Sequence, residues 1–124
     1  MNAPHPALVG AKARLDALDW YPRPVRLAGV RLVVAPRAFR LPWLRRFDGY
    51  ATHRVILLRR EPRQPRDNLV THELCHVWQM QHRPFHMPLS YLWRGYRGNP
   101  YEREARRAAA VTAEVAPPSS TVAA

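Results

Sequence analysis

The chain has 124 residues and 47% hydrophobic content, enough for one domain that buries roughly two-thirds of its unfolded surface. It holds no run of about 18 apolar residues that could span a membrane, and its N-terminus lacks the basic start and apolar stretch of a signal peptide. The formal net charge is +11, carried almost wholly by arginine, since Lys12 is the only lysine.

Residues 7–20 read as a helix with Leu8, Leu15 and Leu18 as a loose apolar stripe, ended by Pro22 and Pro24. VRLAGVRLVVA, 25–35, reads as a strand or hairpin arm with Gly29 as a bend. Residues 36–47 show helical spacing at Phe39, Trp43 and Phe47, interrupted by Pro42, and Asp48-Gly49 marks a turn. YATHRVILLRR, 50–60, is the best strand in the chain, because Val55 to Leu58 form a short apolar run led by β-branched residues. A proline-rich loop, EPRQPRD, leads to a helix capped by Asp67 or Asn68 that runs to about Gln81 and is stopped by Pro84. Residues 85–98 read as a turn-rich aromatic segment. Asn99-Pro100 then opens a last helix to about Ala113, and 116–124 reads as a disordered tail. The expected organisation is one domain, 1–115, plus that tail, without internal repeats.

Between Arg23 and Arg66 twelve arginines stand against two acids, Asp48 and Glu61. Such a surface attracts nucleic acid, anionic lipid or acidic protein. A bias of the genome towards arginine, alanine and proline codons would give the same composition, and the arginines form no single block. With no spanning segment, a membrane partner is not expected, and the oligomeric state is left open. The single cysteine, Cys75, excludes an internal disulfide and fits a reducing compartment, so a cytoplasmic location is expected. Cys75 reads as a small packing residue that faces neither a metal nor the core centre.

The motif that carries chemistry is His72-Glu73-Leu74-Cys75-His76. His72 and His76 lie one turn apart on nearly the same helix face, where two imidazoles can reach one zinc ion. Glu73 projects about 100° further round, placed to hydrogen-bond a water on that ion rather than to bind it. Val70, Leu74, Val77 and Trp78 form an apolar back that can pack the helix into a core.

A catalytic zinc site needs a third protein ligand. His82 stands where an H-E-x-x-H-x-x-G-x-x-H pattern puts its third histidine, but that pattern needs glycine where this chain has Gln79. If the helix simply continues, His82 lies about 15 Å along the axis from His72, out of reach. Glu102, in NPYEREA, is the favoured ligand, because Ala105, Ala108 and Ala109 let its helix approach the zinc helix closely. Its competing role is the capping partner of Asn99. Glu104 is held in reserve.

HELCHVWQ followed by NPYEREA resembles small bacterial zinc metallopeptidases of the gluzincin type, with HELxHVxQ and a downstream NPxExEA. The resemblance covers about residues 48–110 and extends to GYATHRVILL, which is similar to their edge strand. It implies an α+β, minimal zincin-like domain: a small antiparallel or mixed sheet packed on an active-site helix and a second, ligand-bearing helix. It also implies zinc on His72, His76 and Glu102, with Glu73 as catalytic base. The chain departs from the family at Arg106, where such proteins commonly carry an aspartate that orients a ligand histidine. The expected activity is peptide-bond hydrolysis through a zinc-activated water, on a peptide or protein substrate, with the oxyanion stabiliser open among Tyr91, Tyr96, Tyr101, His86 and Arg94. The alternatives are a DNA-associated protease of the SprT kind, although those use a third histidine, and a non-catalytic zinc-stabilised binding module. A third is a basic nucleic-acid-binding protein in which the motif plays no part.

Overall fold

The computed structural model describes residues 4–62 and 67–114. Among the described residues the fold is α+β, with four helices and one three-stranded mixed sheet. In chain order the elements are α1 (Pro6–Asp16), β1 (Arg31–Val34), a 3-10 turn (Pro36–Arg40), β2 (Gly49–Ala51), β3 (Val55–Leu58), α2 (Asn68–His82), α3 (His86–Arg94) and α4 (Pro100–Val111). The expected tail, 116–124, lies outside the described residues.

The sheet order is β1-β3-β2. β3 pairs in parallel with β1, Arg31 opposite Val55, and antiparallel with β2, Gly49 opposite Leu58. The segment expected as one strand, 50–60, is therefore a hairpin. Its turn is built by Thr52, whose amide and hydroxyl both donate to the Val55 carbonyl, at 2.8 and 3.0 Å. β3 turns Ile56 and Leu58 inward, and both are buried.

α2 is the spine of the molecule. Asp67 caps it by accepting from the Leu69 and Val70 amides, and Val70, Leu74, Val77 and Trp78 are all buried, as the expected apolar back requires. α1 and α4 both pack along α2. On α4, the buried Ala105, Ala108 and Ala109 permit the close approach. Cys75 is not peripheral, as expected from its position off both faces. It is fully buried within the core cluster, where α1 and α4 flank α2.

Arg14, on α1, is buried. Its guanidinium donates to Thr112 Oγ1 (3.1 Å), Asn68 Oδ1 (2.8 Å) and the Ala109 carbonyl (2.7 Å), tying α1 to the start of α2 and the end of α4.

Other element boundaries differ from expectation for local reasons. α1 stops at Asp16, whose carboxylate accepts the Val25 amide at 3.0 Å and folds the intervening chain back. Only 31–34 of the 25–35 segment is strand, and Gly29, at φ +79°, makes the bend before it. Segment 36–47 holds only the short 3-10 turn, in keeping with Pro42. Residues 86–94, expected as turns, form α3. Its Pro88 lies in the first turn, where a missing amide hydrogen costs no helical bond, and Gly95, at φ +70°, ends it.

Candidate metal centre

Two elements bring the site together. α2 presents His72 and His76 from successive turns, and α4 presents Glu102 from its first turn. Glu102 Oε2 lies 2.9 Å from His72 Nε2, and its Oε1 lies 2.9 Å from His76 Nε2. One ligand atom from each of the three residues falls within 4.8 Å of the others, so they could hold one metal ion. Two imidazole nitrogens and a carboxylate, with room left for a water, are a donor set that suits zinc. Asn99 caps α4 by accepting the Tyr101 amide at 2.8 Å. Glu102 is thus turned to the histidines while Asn99 caps the helix alone.

The other two candidate ligands stand elsewhere. α2 continues through Gln79 without a break, and His82 stacks on Tyr21 with ring centroids 4.9 Å apart. Glu104 accepts from the Tyr21 hydroxyl at 2.5 Å and from Gln79 Nε2 at 2.9 Å.

In the sequence Gln79 stands where a third-histidine pattern needs glycine and closes the HELxHVxQ resemblance; in the structure it fixes the hydrogen bonding of His76. It is fully buried. Its Nε2 donates to the Tyr101 carbonyl and to Glu104 Oε1, both at 2.9 Å. That fixes the amide, so Oε1 faces His76 Nδ1 at 2.8 Å and can only accept. Nδ1 therefore carries a proton, and Nε2 is the nitrogen left to face a metal. The signal in the sequence was the i, i+3 spacing from His76. Its partners on α4 were not visible there.

Charge at the site follows from burial and proximity. For Glu102, burial raises the pKa, but the hydrogen bonds and charges of His72 and His76 outweigh it and hold the carboxyl well below the usual range. For His76, burial opposes the charged ring, and the Glu102 bond with the nearby carboxylates overcomes it and raises the pKa. Glu73 is raised, chiefly by burial, with the two histidines pulling the other way. Glu73 is therefore a desolvated carboxylate beside, and outside, the ligand set.

Glu73 faces a cleft of about 370 Å3 together with His72, His76 and Glu102. Apolar walls come from Phe47, Met80, Met87 and Tyr91. β2 crosses tightly over Glu73: a Cβ on Gly49 would lie 3.1 Å from Glu73 Cγ and 3.3 Å from its Oε2. A Cβ at 49 would require Glu73 or Leu58 to give by a few tenths of an ångström. Among the described residues no strand pairs with the outer edge of β2.

Among the five residues considered for an oxyanion role, Tyr91 and Tyr96 line the cleft. Tyr96 donates to Glu102 Oε2 at 3.1 Å. His86 and Tyr101 are instead paired with each other at 2.6 Å, and Arg94 is exposed at the end of α3. Arg106 reaches Glu102 Oε2 at 3.3 Å with Nε and lies over the Tyr96 ring. It touches the Glu102 carboxylate and not an imidazole, so it does not orient either histidine as the aspartate implied by the resemblance would. No family model matches the chain, and no match is found among the curated proteins or the solved structures.

Proposed function

We propose that the protein is a zinc-dependent metallopeptidase with a minimal zincin-like domain. The observation that carries this reading is the convergence of His72, His76 and Glu102 on one point, with Glu73 beside them in an open cleft. A zinc ion held there supplies Lewis-acid polarisation of a water and of a substrate carbonyl.

The chain's own residues supply the rest. Glu73, with its raised affinity for a proton, accepts one from the attacking water and returns it to the leaving amine nitrogen. Burial keeps that proton transfer away from bulk solvent. Gln79 holds His76 in the ligating tautomer. Tyr91 lines the cleft wall with its ring 6.4 Å from that of His76 and its hydroxyl hydrogen-bonded to Glu102, and it is the proposed donor to a developing oxyanion. The unpaired edge of β2 offers backbone partners to an extended peptide.

Glu73→Gln tests this reading. The amide cannot accept the proton, so hydrolysis of unstructured peptides should fall at least about a hundredfold. Zinc content should stay nearly unchanged, since Glu73 stands outside the three converging residues, and the melting temperature should not fall, since the neutral amide removes the burial cost of the carboxylate. Wild-type protein that is zinc-loaded yet cleaves no member of a diverse peptide library would support the non-catalytic, zinc-stabilised module instead.

A further inference from the structure

We propose that α3 is a peripheral docking element for an anionic lipid surface. Its apolar stripe faces outward. Phe85, Leu89, Leu92 and Trp93 fall within an arc of about 100° around the helix, and they are 76%, 46%, 80% and 60% exposed. The opposite flank holds the molecule: Met87 and Ser90 are buried, and Ser90 Oγ accepts from Asn99 Nδ2 at 2.9 Å. The inward and outward faces of α3 are therefore distinct, and the outward one is the more apolar.

The charge around the stripe selects the occupant. Arg83, Arg94 and Arg97 are exposed at the two ends of α3, and no aspartate or glutamate occurs between Glu73 and Glu102. Large apolar side chains with an arginine rim are the composition of a helix that lies in a headgroup layer. The leucines and Phe85 have nothing to offer a phosphodiester backbone, which argues against nucleic acid on this face. A protein partner is less well matched. α3 has nine residues, about 14 Å of helix, whereas a stable protein interface covers about 800 Å2 on each partner. A bilayer needs no complementary shape. The same helix walls the cleft through Met87, Pro88 and Tyr91, so docking holds the cleft beside the headgroups. This inference does not depend on the metal site or on hydrolysis.

Co-sedimentation with vesicles tests it, with Trp93 as an added reporter. The full chain should bind vesicles of about one-third phosphatidylglycerol in phosphatidylcholine at least about tenfold more tightly than phosphatidylcholine alone, with a blue shift of tryptophan emission. The double variant Leu92→Ser, Trp93→Ser changes only exposed side chains, so its circular dichroism should match wild type while binding is lost. Failure of the wild type to bind anionic vesicles overturns the proposal. So does binding that survives in the double variant, since arginines alone would then account for it. A concentration-dependent dimer that the double variant abolishes, without vesicle binding, would assign the face to a second copy of the chain instead.

Discussion

Gln79 shows how much one side chain decides at this centre. Its carbonyl oxygen is turned to His76 Nδ1 only because its amide nitrogen is already engaged by Tyr101 and Glu104. Gln79→Leu removes the acceptor and leaves the ring free to take the other tautomer. Zinc affinity should then fall about 10–100-fold, measured by competition with a chromophoric chelator. Equal affinity in wild type and Gln79→Leu would remove the positioning role. This residue was not legible as functional in the sequence, because its meaning comes from groups on α4 that only the fold brings near.

The titrating groups also define a pH dependence for the metal-free protein. His76 is raised, so its charged form stabilises fully below the ordinary histidine value and that contribution is lost as pH climbs through the raised one. Glu73 is raised, so the fold favours its neutral form and loses stability as pH climbs from the ordinary carboxylate range. Glu102 is lowered; its contribution is present above the ordinary carboxylate value and is lost as pH falls through the lowered one. Chelator-treated protein should therefore melt at a lower temperature at about pH 9 than at about pH 6. Zinc should flatten that slope, because the ion takes the place of the His76 proton. A flat profile without metal would contradict the buried ion pair.

At the scale of elements, α2 was legible because every cue agreed: an N-cap at Asp67, a stop at Pro84, and apolar spacing at Val70, Leu74, Val77 and Trp78. α4 was legible for the same reason, through Asn99-Pro100 and its alanines. The β2–β3 hairpin was not, since its turn is made by the Thr52 side chain and contains neither glycine nor proline. α3 was obscured by Pro88 and by an apolar stripe that is largely exposed among the described residues. The role of Arg14 was equally hidden, as composition places arginine on the surface. Arg14→Ala should leave Thr112, Asn68 and the Ala109 carbonyl without their donor and cost about 2–4 kcal/mol, read from urea unfolding. A loss below about 0.5 kcal/mol would mean that α1 is held by its apolar face alone.

For the molecule as a whole, one core cluster links α1, β3, α2 and α4, so the cleft is built on the same packing that stabilises the fold. Among the described residues no helix is long and apolar enough to cross a membrane. The positive charge has more than one use in the structure. Arg14 is an internal tie, and Arg106 sits on Glu102. Arg59 Nε pairs with Asp48 at 3.3 Å, and its guanidinium also donates to the Arg45 and Phe47 carbonyls. A count of arginines in the sequence could not separate these from the exposed ones.

The central claim is that His72, His76 and Glu102 form one metal site, and the measurement that tests it most directly is zinc per chain in the purified, reconstituted protein. Wild type and His82→Ala should each hold about one zinc per chain. Glu102→Ala and His72→Ala should hold little, and lose the zinc-dependent rise in melting temperature with it. Folded wild type that takes up no zinc would contradict the account, as would a Glu102→Ala protein that binds it as tightly as wild type.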